Sequence, residues 1–116
     1  MSAPPPPPGD DDAVAALEGL IAQIDVSIEE LTRARARAVE LAAARTAGRP
    51  WLDLVTAEAR PLVVESVSSV LSSLASAGHA WRREEAAALQ REDVSINRIA
   101  ALFGVTRQRI SALLRD

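Results

Sequence analysis

The stretch VSINRIAALFGVTRQRI, Val94 to Ile110, writes nearly the same six residues twice: VSINRI, then VTRQRI eleven positions later. In each copy a hydroxyl residue follows a valine and precedes an isoleucine by four positions. That is the pattern of a helix start. Ser95 and Thr106 are good N-caps, because their side-chain oxygens accept the free amide protons of a first turn. Val94 with Ile99, and Val105 with Ile110, fill the two ends of a hydrophobic staple around each cap. The duplication is therefore one of capping chemistry. Between the caps the first helix has room only from about Ile96 to Phe103 before Gly104 supplies a left-handed residue that reverses the chain. Two short helices joined by a tight turn follow, with Ala100 small at the closest approach and Ile99, Phe103, Val105, Ile110 and Leu113 converging on one junction.

INRIAALFGVTRQRISALLR, Ile96 to Arg115, resembles the helix-turn-helix of bacterial and phage repressors and of the promoter-reading region of sigma factors. Ile99, Ala100, Phe103, Gly104, Val105, Thr106, Ile110 and Leu113 carry the resemblance. With a preceding helix over 80–92 it is similar to the trihelical form of that domain, and residues 79–116 are assigned to it. The resemblance implies DNA binding, with Gln108, Ser111 and Ala112 at base-reading positions and Arg107 beside them. Helical geometry agrees: at 100° per residue Ile110, Leu113 and Leu114 face inward, leaving Gln108, Ser111, Ala112 and Arg115 outward with Arg107 and Arg109 on the rims. Gln pairs with adenine, Ala touches a thymine methyl, and Arg reads guanine or holds phosphate. Thr106 and the rim arginines suit phosphate positioning. The plainer alternative is a small three-helix core with solvated arginines.

Charge supports the DNA reading locally. The net charge is -3, yet residues 1–32 hold seven acids and no base, whereas 94–116 hold four Arg against Asp116 alone. All 13 basic residues are Arg. There is no Cys and a single His, His79, and neither a metal-ligand cluster nor a phosphate-binding glycine loop appears. An enzyme is accordingly the weakest class, and no cofactor is implied. Aromatics are only 3% of the chain, so the core must be aliphatic and small, and the fold class expected is all-α. No apolar run is long enough for a membrane span and no signal peptide is evident, so a cytoplasmic, nucleoid-associated location is expected.

Upstream, residues 1–12 read as a disordered Pro-rich, acidic arm with five consecutive prolines, Asp10, Asp11 and Asp12 standing where an N-cap belongs. A long helix is expected over 13–47. Val14, Leu17, Ile21, Ile24, Ile28 and Leu31 recur at spacings of three and four, a coiled-coil seam that weakens at Arg35, Ala38 and Ala42, where a shifted stripe through Ala34, Ala38 and Leu41 takes over. The seam either pairs chains or packs within its own domain. Glu29 and Arg33 form an i,i+4 pair, and Arg33, Arg35 and Arg37 read as a solvated face.

Gly48, Arg49 and Pro50 should end that helix. Residues 51–78 form a middle segment assigned to dimerisation: a short amphipathic helix in WLDLVTAEAR, then Pro61, which either opens the next helix or kinks a continuous one. The stripe Val63, Val67, Val70, Leu74 and Ala77 is helical in period, although Ser and Val keep a strand in play. Gly78 is expected to stop it. In HAWRREEAAALQRED the inward positions are Trp81, Ala88 and Leu89, with His79 in a turn and Glu84 and Glu85 complementing the dipole of a new helix start. Trp51 and Trp81 read as packing anchors.

The function expected is a sequence-specific DNA-binding regulator acting as a homodimer on double-stranded DNA, reading the major groove with helix 106–115. The competing class is a coiled-coil adaptor that recruits another protein through its acidic N-terminal helix and docks with the helix-turn-helix.

Overall fold

A computed structural model describes residues 11–115. The Pro-rich arm therefore lies, up to Asp10, outside the described residues. Five helices and no strand occupy the rest: α1 (Asp12–Thr46), α2 (Trp51–Ala57), α3 (Val63–Arg91), α4 (Ile96–Phe103) and α5 (Arg107–Arg115). The all-α expectation holds, and the strand alternative for the middle segment falls. The chain divides into two compact units, one of residues 22–75 and one of residues up to Ile21 together with those from Ser76 onward.

Asp11 caps α1, its carboxylate accepting from the amides of Ala13 at 2.8 Å and Val14 at 3.2 Å. The 35-residue helix is closed off by Gly48 at φ 105°, with Arg49 N–H donating to the Ala44 carbonyl and Gly48 N–H to that of Arg45. This crossed pair of bonds is a Schellman motif, which satisfies two of the last orphan carbonyls. Along α1 the covered positions are Ala13, Ala16, Leu20, Gln23, Ser27, Glu30, Ala34, Arg37, Leu41 and Ala44. They too are spaced alternately by three and four, a second heptad stripe one position behind the expected seam. Ala and Ser fill half of it, and the two most covered, Ser27 and Ala34, are only 2% and 3% exposed. The larger aliphatics Val14, Leu17, Ile21, Ile24, Ile28 and Leu31 remain 38–60% exposed. The chain's own fold covers them only in part.

In the unit of residues 22–75, Leu54 of α2 and Val70 of α3 join Ser27 and Ala34 as buried residues. Arg37 leaves the solvated face expected of it: its guanidinium donates to the Pro61 carbonyl and, at 2.9 Å, to the Ser66 hydroxyl. A long aliphatic stem and a forked donor group let Arg satisfy a loop carbonyl that no helix reaches. Arg33 stays outside, paired with Glu29 at 2.9 Å as expected. Pro61 stands just before α3, where Glu65 accepts from Leu62 N–H in the manner of a capping box and Glu58 accepts from Val63 N–H. Trp51 is 56% exposed beneath the Arg45 guanidinium, 5.7 Å from the ring centroid, so it is a surface cation–π partner and not a packing anchor.

Gly78 does not stop a helix. α3 runs unbroken through it, so the middle segment and the expected 79–92 helix are one element, and the boundary expected at 78/79 marks no break in the backbone. A glycine terminates a helix only when it takes the left-handed conformation, and Gly78 is not among the positive-φ residues. His79, Glu84 and Glu85 consequently sit mid-helix, not at a turn or helix start. Glu85 pairs with Arg82 at 3.2 Å, and Glu84 with Arg83 at 3.5 Å.

Two glycine substitutions of opposite sign are expected to separate these roles. At both Gly78 and Gly104 an added Cβ would meet nothing within 4 Å, so backbone preference alone decides. Gly78→Ala should stabilise by roughly 0.5–1 kcal/mol. Gly104→Ala, forced to φ 67°, should destabilise by about 1–2 kcal/mol. Urea denaturation followed by circular dichroism measures both.

Candidate nucleic-acid interface

The C-terminal residues are organised by two consecutive stop-and-start junctions. At the first, Asp93 adopts φ 64°, Val94 N–H donates to the Leu89 carbonyl and Asp93 N–H to that of Gln90. The next hydroxyl, Ser95, accepts from Arg98 N–H at 3.2 Å. At the second, Gly104 adopts φ 67° and ψ 33°, Val105 N–H donates to the Ala100 carbonyl and Gly104 N–H to that of Ala101. Thr106 then accepts from Arg109 N–H at 3.1 Å. Each junction is thus a Schellman stop fused to an N-cap start, with only a valine between them. The sequence repeat is longer than the pair of hydroxyl caps suggests. It begins at the left-handed residue, which is Asp in one copy and Gly in the other. Asp is among the few side chains that tolerate this conformation, and this is why position 93 gave no glycine signal.

The junctions set three helical segments around one core. Ala86, Ile99, Ala100 and Ile110 are buried, and Leu89, Val94, Ile96, Phe103, Val105, Leu113 and Leu114 pack against them. Ile99 and Ile110 are 0% and 1% exposed, so both staple isoleucines of the repeat are also its core residues. Ala100 is 5% exposed at the α4–α5 approach, where a larger side chain would clash with close-packed neighbours.

With Ile110 pinned inward, the other face of α5 is fixed. Thr106, Arg107, Gln108, Arg109, Ala112 and Arg115 are exposed. Ser111 is half-buried, set between the outward face and the Leu113–Leu114 edge. Six of the seven proposed contact residues therefore lie open to solvent, and the seventh lies at the margin. No ion pair ties Arg107, Arg109 or Arg115 to a carboxylate among the contacts described for residues 11–115.

Two further residues adjoin this face: His79, which the sequence placed in a turn, and Arg82, which it did not single out. An open cleft of about 840 Å³ runs between α3 and α5, lined on one side by His79 and Arg82 and on the other by Thr106, Gln108, Arg109 and Ala112. Arg82 lies over the Phe103 ring at 4.0 Å from its centroid, so a cation–π contact holds its guanidinium at the cleft wall. The only available signal was the Arg82–Arg83 pair. Nothing in its spacing separated it from an ordinary charged helix face until α3 proved continuous. Among the described residues no group of three or more His, Cys, Asp or Glu could hold a metal, and no helix is long and apolar enough to cross a membrane.

The chain matches no protein-family model, no curated protein and no solved structure. The chemistry of the face therefore rests on its own residues.

Removing the second start should weaken the unit without altering the α5 side chains. Thr106→Ala is expected to cost about 1 kcal/mol and Thr106→Ser to cost little. The comparison is read from thermal unfolding midpoints of the two variants.

Proposed function

We propose that this protein is a small sequence-specific DNA-binding regulator, at work in the cytoplasm on the nucleoid, that presents α5 to the major groove of double-stranded DNA. The observation carrying the proposal is the exposed row Arg107, Gln108, Arg109, Ala112 and Arg115, on a helix whose opposite side is locked by Ile110. A helix about 10 Å wide fits a major groove, and its rotation must be fixed before any side chain can select a base. The Thr106 cap and the Ile110 anchor fix that rotation. Gln108 and Ala112, one turn apart, are the base-reading pair. Arg107 reads guanine or the adjoining phosphate. Arg109, Arg115 and the cleft residue Arg82 hold phosphates, and Ser111 adds a short-range contact at the margin.

One such unit contacts a single half-site, and specific recognition by units of this size is ordinarily a property of pairs. A second reading, an adaptor that recruits a different protein, draws on the exposed apolar residues of α1. The Arg-rich outer face of α5 favours DNA as the partner of the C-terminal unit.

Selection from a random duplex pool should enrich a defined motif. Affinity for that duplex should fall on the order of a hundredfold between about 50 and 200 mM salt if about four phosphates are contacted. The double variant Arg107→Ala, Gln108→Ala should lose base preference and at least tenfold in affinity. Arg82→Gln should weaken all sequences alike and lower the salt slope by about one. An unchanged titration of the double variant, with helicity intact, would overturn the proposed face.

A further inference from the structure

α1 carries two heptad stripes, and only one is occupied. The covered stripe, centred on Ser27 and Ala34, and the exposed stripe of Val14, Leu17, Ile21, Ile24, Ile28 and Leu31 are offset by one position, about 100° around the helix. These aliphatics repeat at seam spacing yet are left exposed by the chain's own residues. The exposed stripe amounts to roughly 500 Å² per chain, at the upper end of the largest patches on monomeric proteins. Two such faces together reach the ~1,000 Å² at which a specific interface becomes credible.

We propose that the occupant is α1 of a second copy of this chain, lying antiparallel across the outer stripe. The stripe is palindromic in shape: Val14 sets against the partner's Leu31, Leu17 against the partner's Ile28, and Ile21 against the partner's Ile24. Every layer then joins two large aliphatics, which is the self-complementarity a two-fold interface needs. Charge selects the direction. The next position of the seam is Arg35, which is exposed. In a parallel pair the two Arg35 guanidiniums would meet in the seam. In the antiparallel pair each approaches the acidic turn of Asp11 and Asp12 in the other copy, with Arg33 beside it. Glu18 and Asp25 come opposite one another on the rim of this arrangement, where water and salt screen them.

This pairing deepens the DNA reading and rests on it in one respect only. The 17-residue span from Val14 to Leu31 sets the two copies of Val14 about 26 Å apart. Since residues up to Ile21 belong to the same compact unit as α4 and α5, the two reading units are held at opposite ends of the interface. A pair of such units can address two half-sites of one duplex, which lie roughly 34 Å apart on successive helical turns.

The absence of Cys makes the test clean. Sedimentation equilibrium of the full chain at micromolar concentration should give a dimer, and Ile24→Glu should give a monomer of unchanged helicity. Under mild oxidation the double variant Leu17→Cys, Ile28→Cys should form a disulfide-linked dimer, whereas Leu17→Cys alone should not. The two positions are too far apart along one helix to join within a chain. A monomeric wild-type chain overturns the pairing, as does efficient cross-linking of Leu17→Cys alone, which reports a parallel seam. DNA binding measured on the same samples is read separately: a monomer that still retards duplex DNA sinks the pairing and leaves the α5 face standing.

Discussion

The C-terminal unit depends on how the backbone is satisfied where one helix stops and the next begins. A helix leaves unpaired carbonyls at its end and unpaired amides at its start, and burying either without a partner is costly. Here both debts are met within a few residues. The left-handed residue folds its own amide and the next back onto the ending helix, and the hydroxyl that follows caps the new one. Because a single valine lies between stop and start, the backbone bonds of the junction leave little freedom in the direction of α5 relative to α4. Packing then completes the arrangement, since the isoleucine of each staple is also a buried residue of the shared core.

Much of this was legible. Gly104, Ser95, Thr106 and the spaced valines and isoleucines gave both junctions, both short helices and the inward face of α5, because capping is local chemistry written in adjacent residues. Asp93 escaped notice because its left-handed conformation has no unique residue signature. Gly78 misled in the opposite sense: a glycine with no proline or capping residue behind it weakens a helix without ending it. Arg82 and Arg37 were invisible for a different reason. Their roles depend on Phe103 in one case and on Pro61 and Ser66 in the other, each about twenty or more residues away, and no local pattern encodes such a meeting. Trp51 shows the same limit, since aromatic character alone did not reveal that it faces solvent.

α1 is the instructive case for pattern reading. The hydrophobic periodicity pointed to the stripe of large aliphatics, and the fold covers its neighbour, a mixed row in which Ala and Ser stand among Leu20, Gln23, Glu30, Arg37 and Leu41. That row is recognisable only from its spacing of three and four, faint because its polar members carry no hydrophobic signal and its alanines are lost in an alanine-rich background.

Three of the helices finish in the same way, at Gly48, Asp93 and Gly104, each with a crossed pair of bonds closed inside a six-residue window. Punctuation of this kind does not wait for distant parts of the chain to arrive. The stops of α1, α3 and α4 are thus written within six residues of each helix end, so a change far away in sequence leaves the place where each helix ends untouched.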